Sequence, residues 1–308
     1  MPTDALRTRL ANRLLRDEAL SRYTVARLGG PADWLYVAQE SIEELAEVVA
    51  EAWTHDIPVR IIGGGANVLV SDKGIRGLVI INHISEIKTG NWPDGRVISA
   101  TAGTSLTVFS RKCQSYGLTG MEWAVNIPGT VGGAIINNAG AHNGSIAASL
   151  ADVVVLEADG AKLYSNEDLQ FDYRHSVLKS RADRQYLVLL ATFILSPDEP
   201  DKIKARMSDF TAHRKRTQPA GASLGSIFKN PPGDYAGRLI EESGLKDYRI
   251  GNAMVSPVHA NFLINVTDGN KTATATDYKA LIEHVQETVY SKDGIKLEME
   301  IEIIGDWD

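Results

Sequence analysis

The sequence predicts an α+β fold, and three observations carry that prediction. Helical and strand patterns are mixed, without the regular alternation of a doubly wound parallel sheet. Asp159-Gly160 sits between two strand-like runs, at 153–156 and 162–164, which is a strong hairpin signal. Two dense glycine clusters, at 63–65 and 126–134, fall outside any periodic segment.

The elements follow in order. Leu6, Leu10, Leu14 and Leu15 form one stripe, which predicts an N-terminal helix over 4–20. A strand is expected at 33–37. Ser41 then reads as an N-cap, with Glu44 three residues on to complete a capping box. Leu45, Val48, Val49 and Trp53 give that helix its inner face. The run 59–62 reads as a buried strand leading into Gly63-Gly64-Gly65. Further strands are expected at 78–81, 97–100 and 186–195, and a helix at 104–116. A polar stretch with two prolines, 196–200, marks a domain boundary. Beyond it come a helix to about residue 216, a loop over 218–235, and a helix at 236–243 ended by Gly244. A strand at 260–266 precedes an amphipathic helix at 277–290, with Tyr278, Leu281, Ile282, Val285 and Val289 in one stripe. The stretch 296–304 alternates as a strand does. Leu297, Met299, Ile301 and Ile303 take one face, and Glu298, Glu300 and Glu302 the other.

Bulk properties narrow the class. A chain of 308 residues suggests two domains of about 150 residues each, and 44% hydrophobic residues suffice for a sizeable core. The net charge of −7 argues against a nucleic-acid partner, while local basic residues leave an anionic small molecule open. Cys113 is the single cysteine, so no intrachain disulfide or cysteine metal cluster forms, and a buried structural thiol is expected. The N-terminal stretch mixes charges and lacks the apolar core of a signal peptide. No apolar run approaches the roughly 20 residues of a membrane span. A cytoplasmic protein is expected, with no metal, membrane or nucleic-acid partner.

The glycine loops carry the first functional signal. Three glycines after a buried strand let the backbone approach a ligand and turn its amides outward, as phosphate sites do. A tight turn without a ligand explains Gly63-Gly64-Gly65 equally well. The string does not open a long helix as GxGxxG, so the dinucleotide fingerprint is not met, and no GxxxxGK[ST] loop is present. The second cluster runs from Asn126 to Ala134 and continues through Asn137 to His142. Its four glycines between 129 and 140, with a proline and three asparagines, read as a binding surface made of backbone. His142 reads as a loop-supporting histidine.

Taken together, these strings resemble a known family. RLGGPAD at 27–33, GGGANVLVSD at 63–72, NIPGTVGGA at 126–134 and NNAGAHNG at 137–144 are similar to the FAD-binding half of the UDP-N-acetylenolpyruvoylglucosamine reductases. The resemblance continues in the family's order through DYRHSVLK at 172–179, GSIFKNP at 225–231, AGRLIEESGLK at 236–246 and LEMEIEIIG at 297–305. It spans about residues 22–305. No tyrosine-bearing insertion follows the FKNP loop, as in the family's shorter, second subtype. Three positions depart from the pattern. Asn126 stands where glycine is usual, Thr130 where serine is usual, and Met299 where proline or arginine is usual.

The resemblance implies a vanillyl-alcohol-oxidase-type FAD-binding region of two subdomains plus a C-terminal α+β substrate-binding domain. The boundaries implied are an N-terminal helix at 1–20, the FAD-binding region at 21–197 (subdomains about 21–82 and 83–197) and the substrate domain at 198–308. It implies NADPH-dependent reduction of a UDP-sugar enolpyruvyl ether in peptidoglycan synthesis. Gly63, Gly64, Gly65, Ala66, Asn67, Asn126, Pro128, Gly129, Thr130, Gly132, Gly133, Asn138, Ala139 and Gly140 would hold FAD. The loops at 63–67 and 126–134 contain no histidine or cysteine for a covalent tether. Arg174, Ser226 and Glu300 match the catalytic positions. Tyr173, Lys229 and Asn230 would meet the substrate, and His259 and Asn261 would line the same pocket. Without the resemblance, Arg174 reads as a surface arginine, Ser226 as a turn serine and Glu300 as a solvated strand face. Two rival readings stay open: another flavin oxidoreductase of the same fold, such as a hydroxy-acid or alcohol oxidase, and a flavin-less nucleotide-sugar binder.

Overall fold

The first helix ends early. In the computed structural model, which describes residues 1–90, 96–269 and 271–307, Asp4–Leu10 is helical and capped by the Thr3 side chain. Ala11 then takes a φ of +46°, and Leu14–Ala19 is a strand. The helix expected over 4–20 is thus half strand. Leu6 and Leu10 are buried, but Leu15 is exposed, so the leucines do not share one apolar seam. Arg13 instead forks onto the Glu44 carboxylate, at 2.9 and 2.6 Å. Tertiary pairing outweighs a weak helical preference.

The chain forms two units. One comprises Met1–Leu15, Trp34–Gly64 and Gly77–His213, and the other Arg16–Asp33, Gly65–Arg76 and Arg214–Asp308. The division passes through the first glycine loop, after Gly64, and through the helix Pro200–Thr217.

The first unit is organised by an antiparallel sheet of five strands. Their order is Gly160–Ser165, Leu150–Glu157, Tyr186–Ile194, Val97–Thr101 and Ile87–Thr89. The expected hairpin is present, with Glu157 opposite Gly160 at its closed end. The helix Leu106–Ser115 lays Leu106, Phe109 and Cys113 into the core, and Phe109 meets Phe193 with ring centroids 4.7 Å apart. Burial pushes the Cys113 thiol up, which suits a packing residue rather than a nucleophile. Ser41 caps the helix Ile42–Thr54 by accepting from the Glu44 amide at 3.1 Å. The Glu44 carboxylate goes to Tyr36 and Arg13, so the box predicted there is only half built. Val59–Ile62 lies parallel to Ile75–Asn82, with Ile62 opposite Ile81, and delivers the chain directly into Gly63.

The second unit is built on the helix Ala275–Asp293. Thr274 and Asp277 form its capping box, and Gly294 ends it in the left-handed region. Tyr278, Leu281, Ile282, Val285 and Val289 are buried, as the stripe predicts. A three-stranded sheet, Arg249–Ile250, Ala253–Val255 and Leu263–Asn265, lies in the same unit. The strand expected over 296–304 is regular only at Glu302–Ile304, which runs parallel to Val68–Val70. The burial alternation still holds, because Leu297 and Ile301 are buried and Glu298 is exposed. The ladder is broken because the segment changes partners. The Glu300 amide donates to Ile227, and two residues later the Glu302 amide donates to Asn67. Among the described residues, no helix is long and apolar enough to cross a membrane.

Candidate active site

The two glycine loops of the first unit meet backbone to backbone. A Cβ on Gly64 would lie 2.7 Å from the Gly129 Cα, and one on Gly63 would lie 2.2 Å from Thr130 Oγ1. Glycine is required for that approach. Gly129 adds a φ of +118°, which side chains rarely adopt. Thr130 opens the helix Val131–Ile136, and its hydroxyl accepts from the Gly133 amide at 3.4 Å. Among the described residues, no hydrogen bond uses the amides of Gly63, Gly64, Gly129 or Thr130. Four unengaged donors on apposed turns suit a phosphate group, so the residues present fit the diphosphate of FAD.

The other residues expected at the cofactor divide by environment. Gly132 is a packing glycine, its amide bonded to the Ala102 carbonyl at 2.9 Å and a Cβ 2.8 Å from that of Ala102. A Cβ on Gly133 would meet only Thr130 Oγ1, at 3.6 Å. Gly65 belongs to the second unit, where a Cβ would strike the Tyr23 carbonyl at 2.0 Å. Ala66 and Ala139 are half-buried, and Pro128 is exposed. Asn126 takes a φ of +58°, and its Nδ2 donates to Thr211 Oγ1 at 2.8 Å. Asparagine tolerates this left-handed geometry, so the departure from glycine keeps the backbone shape.

The continuation of the second cluster, at 137–142, supports the turn that carries Arg174. Asn138 is buried, and both ends of its amide are engaged. Its Nδ2 donates to the Asp172 carbonyl at 2.9 Å, and its Oδ1 accepts from the Ala147 amide at 3.1 Å. Asp172 and His175 close the turn by exchanging backbone hydrogen bonds at 3.2 and 3.1 Å. Arg174 sits there at φ +53°, a sparsely populated region for a long side chain. Its Nη2 donates to the Gly140 carbonyl at 2.9 Å, and its guanidinium carbon lies 5.2 Å from the Tyr173 ring centre. His142 stacks on Phe210 with centroids 4.2 Å apart, which fits a loop-supporting histidine.

In the second unit, Ser226 and Glu300 come from adjacent extended segments. Phe228 bridges Met299. The Glu300 amide donates to the Ile227 carbonyl, and the Lys229 amide donates to the Glu298 carbonyl, each at 2.8 Å. On the other side, Ser226 bridges Phe262. The half-buried Ser226 hydroxyl has no hydrogen-bond partner among the described residues. Gly225 before it has a φ of +77°, and a Cβ there would meet nothing. The Lys229 ammonium pairs with Glu298 at 2.5 Å. Asn230 Oδ1 accepts from the Ala236 amide at 3.1 Å, at the start of the helix Ala236–Glu242. Asn67 Nδ2 donates to the Glu300 carbonyl at 3.2 Å.

Two residues expected in the pocket have different surroundings. Asn261 is buried, with its side chain turned onto the Phe228 backbone. Its amide donates to His259 Nδ1 at 3.2 Å, and burial lowers the pKa of that imidazole. No sequence signal separates an asparagine that meets a ligand from one that satisfies backbone. Arg174 belongs to the first unit, and Ser226 and Glu300 belong to the second.

Known proteins show matching patterns. Residues 217–304 match the family model for the C-terminal domain of UDP-N-acetylenolpyruvoylglucosamine reductase, and residues 35–162 match the FAD binding domain. The chain is 41% identical over 299 residues to the UDP-N-acetylenolpyruvoylglucosamine reductase of Levilactobacillus brevis, covering 96% of this chain and 94% of that one. It is 42% identical over 292 residues to that of Shouchella clausii, covering 94% and 90%. Among solved structures, UDP-N-acetylenolpyruvylglucosamine reductase from Thermus caldophilus is similar with a TM-score of 0.77 and 35% identity, covering 94% of this chain and 98% of that one.

Proposed function

The chain belongs to the UDP-N-acetylenolpyruvoylglucosamine reductase family, and from that premise we propose that it reduces UDP-N-acetylglucosamine enolpyruvate to UDP-N-acetylmuramate in peptidoglycan synthesis, with NADPH as reductant. The FAD-binding region is residues 21–197, and the substrate domain is residues 198–308. Bound FAD supplies the hydride, received from NADPH, that adds to the terminal vinyl carbon of the substrate.

The chain's own residues handle charge and proton. Arg174 grips the substrate carboxylate, onto which negative charge spreads as the hydride arrives. Ser226 gives its hydroxyl proton to the neighbouring carbon. Glu300 is the second stabilising group. Tyr173 packs against the substrate, and Lys229 and Asn230 meet its diphosphate. Lys229 does so by exchanging Glu298 for phosphate.

The observation that carries this reading is the Ser226 hydroxyl, unpartnered among the described residues on a backbone pinned from both sides. A turn serine normally satisfies its own turn. The visible spectrum tests the whole reading. The purified protein should be yellow, NADPH should bleach it without oxygen, and the enolpyruvyl substrate should restore the colour. A colourless protein that ignores added FAD would indicate a nucleotide-sugar binder. Oxygen uptake with a hydroxy substrate, and no response to the enolpyruvyl ether, would indicate an oxidase of the same fold.

A further inference from the structure

Ser226 lies two residues from Phe228, whose backbone amide and carbonyl are both held by one side chain. Asn261 Oδ1 accepts from the Phe228 amide at 2.9 Å, and Asn261 Nδ2 donates to the Phe228 carbonyl at 2.8 Å. The Asn261 carbonyl also accepts from the Ile227 amide at 2.9 Å. Three bonds from one residue therefore hold two consecutive residues of the GSIFKN segment. Asn261 itself is 4% exposed, and its amide is bonded to His259 Nδ1. Its side-chain groups are directed at backbone and not at solvent.

The opposite edge of the same segment carries Glu300, through the bond from its amide to Ile227. Moving Ile227–Phe228 would thus move Ser226 along the chain, while the Glu300 segment keeps its own anchor on Asn67 through the Glu300 carbonyl and the Glu302 amide. Replacing Asn261 by an apolar residue leaves a buried amide and a buried carbonyl unsatisfied, and the segment relaxes to find partners. Proton donation tolerates little displacement: about 1 Å can cost roughly 10²-fold in rate.

We propose that Asn261 is a positioning residue for proton donation, acting through Phe228 to hold Ser226 at the reacting carbon. This rests on the reductase reading above. A merely structural asparagine would slow every step in proportion to unfolding. A positioning residue acts on one half-reaction and only while Ser226 has its hydroxyl.

The test is a double-mutant cycle on the FAD-loaded enzyme, read by stopped-flow absorbance of the flavin. Four proteins are compared: wild type, Asn261→Ala, Ser226→Ala and the double variant. Asn261→Ala should leave flavin reduction by NADPH within about twofold of wild type and slow reoxidation by the enolpyruvyl substrate about 10²-fold. In the Ser226→Ala background the same change should slow reoxidation by less than about threefold. Should Asn261→Ala fail to fold, Asn261→Asp, which keeps the acceptor and loses the donor, takes its place in the cycle. Equal losses in both backgrounds, or no loss in either, overturn the proposal. A wild-type flavin that the substrate does not reoxidise overturns the reductase reading, and this inference with it. Normal wild-type turnover beside an unaffected Asn261 variant overturns the inference alone.

Discussion

The amide of Glu300 donates to the carbonyl of Ile227 at 2.8 Å, so one candidate catalytic residue is tied to the residue next to the other. The Glu300 carbonyl in turn accepts from Asn67 Nδ2 at 3.2 Å. Segments near residues 67, 227 and 300 thereby set a common backbone register within the second unit. The Ser226 hydroxyl and the Glu300 carboxyl group are then carried on a fixed base.

Ser226→Ala should separate the two half-reactions. The hydroxyl has no partner among the described residues, so its loss should leave the melting curve unchanged within about 0.5 kcal/mol. Flavin reduction by NADPH should proceed near the wild-type rate. Reoxidation by the enolpyruvyl substrate should slow about 10²–10⁴-fold, the usual contribution of a general acid. Slower reduction with normal reoxidation would refute the assigned role.

Gly133→Ala should distinguish cofactor contact from fold. A Cβ at Gly64 meets Gly129 backbone at 2.7 Å, so substitution there damages fold and flavin binding together. At Gly133 the new methyl meets only Thr130 Oγ1, at an ordinary 3.6 Å, within the helix Val131–Ile136. Removing a helix glycine should stabilise the apoprotein by about 0.5–1 kcal/mol. FAD retention, measured by absorbance after dialysis, should nevertheless fall. A variant that is more stable and keeps all its flavin would exclude Gly133 from the cofactor surface.

The legible parts of the sequence were those where one periodicity met its own punctuation. Thr274, Asp277 and Gly294 bracket a five-residue apolar stripe, and the helix Ala275–Asp293 forms there. The N-terminal leucines had a start in Thr3 but no glycine or proline to mark the stop after Leu10, and the Arg13–Glu44 pair accompanies a strand instead. Gly63, Gly64 and Gly129 were legible as points of close backbone approach, which admits almost nothing but glycine. The asparagines were not. Asn138, Asn230 and Asn261 all satisfy backbone groups from 6 to 34 residues away. An amide side chain carries the same donor and acceptor whether it serves a ligand or a neighbouring chain segment.

Stability should fall with acid in a way that depends on His259. Burial lowers its pKa in the folded protein, with Lys246 adding a smaller push in the same direction and Glu241 opposing it. The unfolded chain therefore takes up the proton first, near the ordinary histidine value of about 6.5. The stability from the neutral ring is fully present above that pH and is lost as pH falls through the lower folded value. Protonation also turns Nδ1 into a donor facing the Asn261 amide, which donates to it at 3.2 Å. The melting temperature of the wild type should drop between about pH 7 and pH 5. His259→Gln should drop less steeply over the same range. Parallel curves for the two proteins would remove His259 as the cause.

Glu300→Gln should be far more damaging than Glu298→Gln or Glu302→Gln, although alternation places all three on one face. A strand advances roughly 6.6 Å per two residues, so the three carboxylates cannot all reach one atom. Their surroundings differ accordingly. Glu298 is exposed and paired with Lys229 at 2.5 Å, so its loss should lower KM modestly, by freeing the lysine for phosphate, and leave kcat near wild type. Glu302 sits in the parallel ladder, opposite Val68, with its amide on the Asn67 carbonyl. Glu300 lies between them, with its amide on the Ile227 carbonyl and its carbonyl on Asn67 Nδ2. Glutamine keeps the shape of glutamate and removes its ionisable group, so the backbone bonds persist while charge and proton handling change. The effect of Glu300→Gln should appear in flavin reoxidation by substrate, with FAD content unchanged. Three equally harmless glutamines would make the segment a solvated edge and remove the catalytic assignment from this end of the chain.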